Sequence, residues 1–491
     1  MARPDRPHSG MNKMIRRASV FSLLLVLSLL VRATWVQFYE GEALADNKKN
    51  RRNVMETYAN PLGDIVVAGE AVTGSERTTG SDLAYKRTYR DGSLYSAVTG
   101  YTSQVYGATQ LEGIYQDVLD GSDSRLKNPR EAITGERAGP GDVVTTIDPA
   151  VQKAATESLG GKKGAAVAMD PQSGRILGMV STPSYDPSRI SGSTDGDAWK
   201  KLTGDEDKPM VNRALRQPLP PGSTFKLVVA AAALEEGLYD SVDERTDSPD
   251  PYTAPGTTTP VTNENRSAPC EDATLRTALQ YSCNTVFGKL AVDLGQDKVA
   301  AMAEKFGFND EEQDVPVRAS ESSYPSGMDK PQTALSGIGQ FEVTATPLQI
   351  AMVSAALANG GELVAPDMVD RVTDSGGDAL ENHDDPDTTR VVSERNAEQL
   401  QSAMETVVDK GTGSNARIPG MTVGGKTGTA QHGERNENTP YAWFTSYATN
   451  SDGEQVAVAV IIEDSDAART EVSGNGLAAP VAEAMMRAAL D

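Results

Sequence analysis

An uninterrupted apolar run, Ala18–Val31 (ASVFSLLLVLSLLV), stands directly behind the basic residues Arg3, Arg6, Lys13, Arg16 and Arg17. A segment this apolar has to leave water, either into a bilayer or into a protein core. Arg32 interrupts it, and ATWVQFY carries it on to Tyr39. Alone, the first run has the length of a signal-peptide core. With Arg32 snorkelling and Trp35, Phe38 and Tyr39 as interfacial anchors, the whole can span a membrane. Cleavage would need a small-x-small pattern soon after the apolar core. VRATWVQ has none, and Ala43-Leu44-Ala45 lies well downstream. An uncleaved signal anchor is therefore expected in the cytoplasmic membrane. The basic flank stays inside and everything after Tyr39 lies outside. A buried core helix is the competing reading, and the adjoining basic N-terminus argues against it.

The chain has 491 residues, which suits two or three domains. Its net charge of −23 disfavours nucleic acid as a partner, since phosphates call for Lys and Arg. The same acidity is explained by surface solvation. Three histidines, His8, His383 and His432, have no ligand spacing, so neither a metal, a His-based triad nor a cofactor is expected. Two cysteines, Cys270 and Cys283, exclude a disulfide-rich scaffold.

Four segments are expected: a basic cytoplasmic tail (1–17), the anchor (18–39), a β-rich domain (40–142) and a large C-terminal domain (143–491). Residues 46–60 read as polar and helical or extended. DIVVAG and SLYSAVTGY read as short β-like runs, and TQLEGIYQDVLDG as helical up to Gly121. TTIDPAVQKAATESL begins as a strand and enters a helix, with Asp148 as N-cap and Pro149 at the first helical position. GAAVAMDPQSGRILGMVSTP reads as a β-hairpin. STFKLVVAAAALEEG is a helix stopped by Gly237, and residues 241–269 form a loop. DATLRTALQYS and TVFGKLAVDLG are helical. TPLQIAMVSAALANGG is an amphipathic helix, and DSGGDALENHDDPDTT an acidic surface excursion. MTVGGKTGTAQ, YAWFTSYAT, QVAVAVIIED and LAAPVAEAMMRAAL close the chain as β-β-β-α. The fold class is α/β of the α+β kind, an antiparallel sheet flanked by helices.

Three motifs carry chemistry. In Pro220-Pro221-Gly222-Ser223-Thr224-Phe225-Lys226, Pro-Pro-Gly sets a helix start at about Ser223, with Lys226 three residues on along the same face. An amine with a lowered pKa can take the proton of a serine hydroxyl. Alone, the pattern equally fits an N-cap serine and an exposed lysine. Ser282-Cys283-Asn284 lies between two helices and could aim a hydroxyl and an amide into a cleft, or simply cap a helix. Gly424-Gly425-Lys426-Thr427-Gly428-Thr429 is a strand whose glycines would let a substrate backbone approach its edge. There Lys426, Thr427 and Thr429 could meet a carboxylate. A Gly-rich bend is the alternative.

Together, in this order and spacing, these motifs resemble those of the penicillin-recognising serine acyl-transferases. The chain resembles the class B penicillin-binding proteins, and within them the short actinobacterial form. TTIDPAVQKAA, AMDPQSGRILGMVSTPSYDP, NRALRQPLPPGSTFK, GIGQFEVTATPLQIAM and GGKTGTAQ followed by AWF carry the likeness in the C-terminal domain. YANPLGDI and LEGIYQDVLDG carry it in the pedestal, or dimerisation-type, domain. Leu219 stands where an aromatic often precedes Pro-Pro-Gly-Ser. Leu62 stands where an Arg-Gly pair often has Arg, which puts a local pedestal contact in doubt.

The resemblance implies a D,D-transpeptidase that cross-links peptidoglycan stem peptides in cell-wall growth, cell shape or division. Ser223 would attack the D-Ala-D-Ala carbonyl with Lys226 as base, and β-lactams would trap the same serine. Ser282 and Lys426 would relay a proton to the leaving amine, and Asn284 would hold the donor amide. Thr427 and Thr429 would bind the terminal carboxylate, with Gly428 between them in the substrate-binding strand. The N–H groups of Ser223 and Thr429 would form the oxyanion hole. A membrane glycosyltransferase of the shape, elongation, division and sporulation family is the implied partner. A β-lactamase shares the motifs but needs neither anchor nor pedestal, and a D,D-carboxypeptidase differs only in using water as acceptor. A catalytically silent scaffold would not need the complete motif set. An outside location oxidises thiols, so a Cys270–Cys283 disulfide is expected, with two apolar-packed free thiols as the alternative.

Overall fold

The computed structural model describes residues 9–36, 39, 51–79, 81–127, 138–383, 386–433, 437–465, 467, 469 and 472–491. Arg3, Arg6, Phe38 and Ala43-Leu44-Ala45, invoked above, lie outside the described residues. The chain divides into two compact units, residues 1–60 with 78–85 and residues 61–77 with 86–491.

In the first unit, one helix runs Ser9–Trp35. Its stretch Lys13–Trp35 is 23 residues long, has mean hydropathy 1.9 and buries none of its surface in the protein. At about 1.5 Å per residue it exceeds the roughly 30 Å of a bilayer core. Trp35 stacks on Tyr39 with ring centres 4.4 Å apart. A core helix would be covered, and this one is exposed throughout its apolar run. A second helix, Arg51–Thr57, follows.

The second unit is built on a five-stranded antiparallel sheet in the order Thr422–Ala430, Tyr441–Thr449, Gln455–Asp464, Lys163–Met169, Ile176–Thr182. The predicted hairpin is its Lys163–Thr182 arm. Asp170 makes the turn by accepting from the N–H groups of Gln172 and Ser173 at 2.8 and 3.3 Å. Alternate side chains enter opposite cores. Ala165, Val167, Met169, Ala457, Ala459 and Ile461 face one, while Ala166, Ala168, Val456, Val458, Val460 and Ile462 face the other. The second face is covered by the helices Pro149–Leu159 and Ala479–Leu490 through Val151, Ala155, Met485 and Met486. Asp148 caps the first of these from 2.7 Å on Ala150 N, as its sequence predicts.

The first face meets the helix Pro347–Ala358, and the helix Lys226–Glu235 belongs to the same core. Pro347–Ala358 is a helix as expected, but not an amphipathic one. Every residue from Pro347 to Ala358 is buried, because the helix lies inside the core and has no solvent side. Its one inward hydroxyl, Ser354 Oγ, is satisfied by Thr445 Oγ1 at 2.6 Å. The run Ser93–Tyr101 also departs from expectation. It lies in a helix, Gly92–Thr99, ended by Gly100 at φ +69°. Tyr95 and Val98, three apart, point into the core, a helical spacing that so short a mixed run does not distinguish from alternation.

A second sheet is mixed, in the order Ala379–Asn382, Val369–Thr373, Asp142–Thr145, Ile65–Val67, Glu70–Ala71. Asp142–Thr145 pairs in parallel with Ile65–Val67 and antiparallel with Val369–Thr373. The acidic excursion supplies the edge strand Ala379–Asn382. Leu62 is buried where the resembled pattern has Arg. Gly63 beside it has no room for a side chain, since a Cβ would stand 1.8 Å from Gly141 O. Arg87 donates to Gly63 O and to Glu112 Oε1, both at 2.6 Å, and neither charged side chain is more than 1% exposed. Removing one member of such a pair strands the other charge in the core. Arg87→Met is expected to destabilise the solubilised full chain by about 3–5 kcal/mol in thermal or urea unfolding. The double variant Arg87→Met/Glu112→Leu should recover part of that loss.

Candidate active site

The turn before Ser223 is clamped on three sides. Gly222 adopts φ +54° and its N–H donates to Gly339 O at 3.0 Å. Gly339, at φ +69°, lies so close that a Cβ would sit 2.0 Å from Gly222 O. Trp443 Nε1 donates to Pro220 O at 2.9 Å. Gly428 approaches from the edge strand, where a Cβ would meet Pro221 O at 2.9 Å. The predicted helix start appears as a single 3₁₀ turn, Gly222–Phe225, with Lys226 opening the α-helix. Phe225 anchors the turn between Phe308 and Tyr324. Ser223 remains partly exposed, while Lys226 is fully buried.

The Lys226 amine lies 2.7 Å from Ser282 O, 2.7 Å from Asn284 Oδ1 and 3.2 Å from Ser282 Oγ. Asn284 is oriented by its Nδ2, which donates to Thr262 O at 3.1 Å. Lys426, also fully buried, reaches the same Ser282 Oγ from the opposite wall at 3.0 Å and donates to Thr427 O at 2.8 Å. Burial, then the charge of Lys426, holds Lys226 well below the usual lysine range. Burial brings Lys426 down to about 7, opposed by the carboxylate of Glu264. Two amines sharing one hydroxyl do not both carry a proton easily. With the proton on Lys426, Lys226 is a neutral amine. It donates its two hydrogens to Ser282 O and Asn284 Oδ1 and keeps a lone pair. That is the protonation state in which a lysine can serve as a base.

Ser282 is not a helix N-cap. Cys283 holds that position at the start of the helix Asn284–Leu294. Ser282 takes a left-handed backbone, φ +57°, rare for a non-glycine residue, and this conformation accompanies its hydroxyl between the two amines. Cys283 is bonded to Cys270, with Cα atoms 5.6 Å apart and both sulfurs buried. The predicted disulfide therefore ties down the centre of this loop.

The strand Thr422–Ala430 forms one edge of the sheet. Its first two glycines serve a different purpose from the one expected. A Cβ on Gly424 would meet the Tyr447 ring at 2.3 Å, and on Gly425 the Phe444 ring at 2.7 Å. They make room for aromatic rings of the neighbouring strand. Gly428 admits the Ser223 turn, as described above. Thr429 is partly exposed, and its carbonyl packs against Gly222. Thr427 Oγ1 contacts Thr412 Oγ1 at 2.9 Å.

The three motifs thus converge on one place. Gly339, Trp443 and Thr412 belong to the same constellation but carried no assigned role in the sequence. Gly339 and Trp443 stand inside GIGQ and AWF, and Thr412 follows the helix Glu394–Lys410, a segment in which no motif was read.

Two part-exposed serines and two buried lysines, arranged Ser-Lys-Ser-Lys against an antiparallel sheet, define a serine acyl-transferase. The chain belongs to the penicillin-binding protein family: residues 164–487 match the penicillin-binding protein transpeptidase domain, and residues 62–143 the penicillin-binding protein A dimerisation domain. It is 36% identical over 98% of its length to the peptidoglycan D,D-transpeptidase PbpA of Mycolicibacterium smegmatis, covering 99% of that protein. It is 34% identical to PbpA of Mycobacterium tuberculosis, with the same coverage of each. The structure of penicillin-binding protein A from M. tuberculosis as a ceftriaxone acyl-enzyme superposes with a TM-score of 0.82 at 33% identity. That match covers 89% of this chain and 100% of the other.

Both lysines titrate lower when folded than when unfolded, so the folded protein binds fewer protons between those values. For Lys426 the cost of burial is fully present below about pH 7 and vanishes as pH rises past 10.5. Its contribution to stability therefore increases with pH across that window. Thermal unfolding at pH 7 and pH 9.5 is expected to show Lys426→Met gaining stability over the parent at pH 7 and losing much of that advantage at pH 9.5. A constant difference would show that burial does not lower the proton affinity of Lys426.

Proposed function

We propose that the protein is a membrane-anchored D,D-transpeptidase that forms an acyl-enzyme on Ser223 and transfers the acyl group to an amine on a neighbouring peptidoglycan stem peptide. The observation that carries this reading is the meeting of two buried amines, Lys226 and Lys426, on the hydroxyl of Ser282 beside the Ser223 turn. Neutral Lys226 takes the proton of Ser223 as its oxygen attacks the D-Ala-D-Ala carbonyl. The tetrahedral oxyanion is received by the N–H groups of Ser223 and Thr429, each such donor being worth about 3 kcal/mol. Lys426 and Ser282 pass a proton to the departing D-Ala amine. Asn284 holds the donor amide, and Thr427 and Thr429 take the terminal carboxylate, with Gly428 between them keeping the strand against the serine turn. β-Lactams present a strained equivalent of the donor amide and remain on Ser223. The PbpA relatives carry the D,D-transpeptidase name and the M. tuberculosis protein forms β-lactam acyl-enzymes, which supports this assignment.

Residues 1–17 are assigned to the cytoplasm, 18–39 to the anchor, 40–142 to a pedestal and 143–491 to the transpeptidase domain outside the membrane. The exposed apolar stretch Lys13–Trp35 supports this topology. The segment between anchor and catalytic domain is a poor match to a helical glycosyltransferase, so glycan polymerisation is assigned to a membrane partner of the shape, elongation, division and sporulation family.

Labelling with a fluorescent penicillin, followed on a denaturing gel, tests the chemistry. Ser223→Ala is expected to lose all labelling while keeping its thermal transition, and Lys226→Ala to lose more than Ser282→Ala. Full labelling of Ser223→Ala would remove the assignment. The purified full chain, given lipid-linked disaccharide-peptide, is expected to extend no glycan. Unaided polymerisation would refute the need for a partner.

A further inference from the structure

Thr412 stands in the turn Lys410-Gly411-Thr412-Gly413, just beyond the helix Glu394–Lys410. Its N–H donates to Gln280 O at 3.2 Å, and Gln280 Nε2 returns a bond to Lys410 O at 2.9 Å. Gln280 ends the helix Leu275–Gln280, two residues before Ser282. Gly411 packs so tightly here that a Cβ would lie 2.6 Å from Gln280 O and 2.9 Å from Val407 O. The Thr412 hydroxyl faces the other way, 2.9 Å from Thr427 Oγ1. One residue thus joins the wall that carries Ser282 to the wall that carries Lys426 and Thr427.

The direction of that hydroxyl contact has a chemical consequence. Each hydroxyl has one proton, and two in contact use one between them and leave the other free. A carboxylate only accepts. If Thr427 is to donate to a carboxylate, the proton between the pair must come from Thr412. The reverse direction would turn a Thr427 lone pair toward the anion.

We infer that Thr412 is a positioning residue for the donor peptide's terminal carboxylate, its hydroxyl donating to Thr427 Oγ1 so that the Thr427 proton is left for the anion. This rests on the transpeptidase reading above. The chain Thr412 to Thr427 to carboxylate runs donor to acceptor throughout, the arrangement in which successive hydrogen bonds strengthen one another. It acts on binding of the carboxylate and leaves the bond-making step to Ser223 and Lys226.

The test is rapid-mixing acylation of the detergent-solubilised full chain by benzylpenicillin and by its methyl ester, separating the binding constant from the acylation rate constant. Thr412→Val is expected to weaken binding of benzylpenicillin about fivefold, the worth of one hydrogen bond, with the acylation rate constant unchanged. The methyl ester, which offers no anion, should bind both proteins alike. Thr412→Ser should restore the parent value, and Thr412→Val added to Thr427→Val should cost nothing further. An unchanged binding constant, equal losses for acid and ester, a loss confined to the acylation rate constant, or additive losses in the double variant would overturn the inference. If Thr412→Val does not fold, Thr412→Ala and Thr412→Ser carry the same acid-against-ester comparison. A parent protein that takes no penicillin on Ser223 would instead overturn the transpeptidase reading.

Discussion

Two lysine amines buried against one serine hydroxyl are the constraint around which this site is organised. A lysine in the interior is costly when charged, and two at one oxygen are costlier still. The fold accepts this arrangement because each amine has polar partners: Ser282 O and Asn284 Oδ1 for Lys226, Thr427 O for Lys426. Burial lowers the proton affinity of both amines, and the charge of Lys426 lowers that of Lys226 further. Aryl contact adds little by comparison; the Phe287 ring lies 5.6 Å from the Lys226 amine.

Holding both amines in register depends on close backbone approach. The serine turn is pressed between Gly339 and Gly428, and a side chain at either would displace it. Ser282 sits in left-handed backbone, in a loop fixed by helices on both sides and by the Cys270–Cys283 bond. Rings of Phe444 and Tyr447 on the neighbouring strand lie against Gly425 and Gly424 of the edge strand. The fully buried helix Pro347–Ala358 backs the sheet from within, so the wall carrying Lys426 has a packed core behind it. These contacts explain how loops and an edge strand, ordinarily the most mobile parts of a domain, can present chemistry at fixed distances.

Much of this was legible in advance. Pro-Pro-Gly before Ser223 marked a turn into a helix, and Asp-Pro at 148–149 marked the helix Pro149–Leu159. The two apolar runs around Asp-Pro-Gln-Ser-Gly in Gly164–Thr182 marked a hairpin, and the run Gln455–Asp464 a strand. These signals are local: they depend on dihedral limits, caps and apolar runs bounded by turn residues, which neighbours in sequence decide. The helix Gly92–Thr99 was misread because its few apolar residues fit either period. The helix Pro347–Ala358 was legible as a helix, but its burial on all sides was not, because that depends on what surrounds it.

The sequence by itself determined the chemistry present, serine hydroxyls, two amines, an amide and two threonine hydroxyls in a recognisable order, together with a helix apolar enough to span a bilayer. Only the tertiary structure decided which of those groups meet. That Lys226 and Lys426, 200 positions apart, share Ser282 Oγ follows from long-range packing of a helix against a sheet edge, as does the contact of Thr412 with Thr427. The lowered affinity of both lysines for protons is likewise absent from the sequence. It comes from removing water from around them, and only the folded core does that.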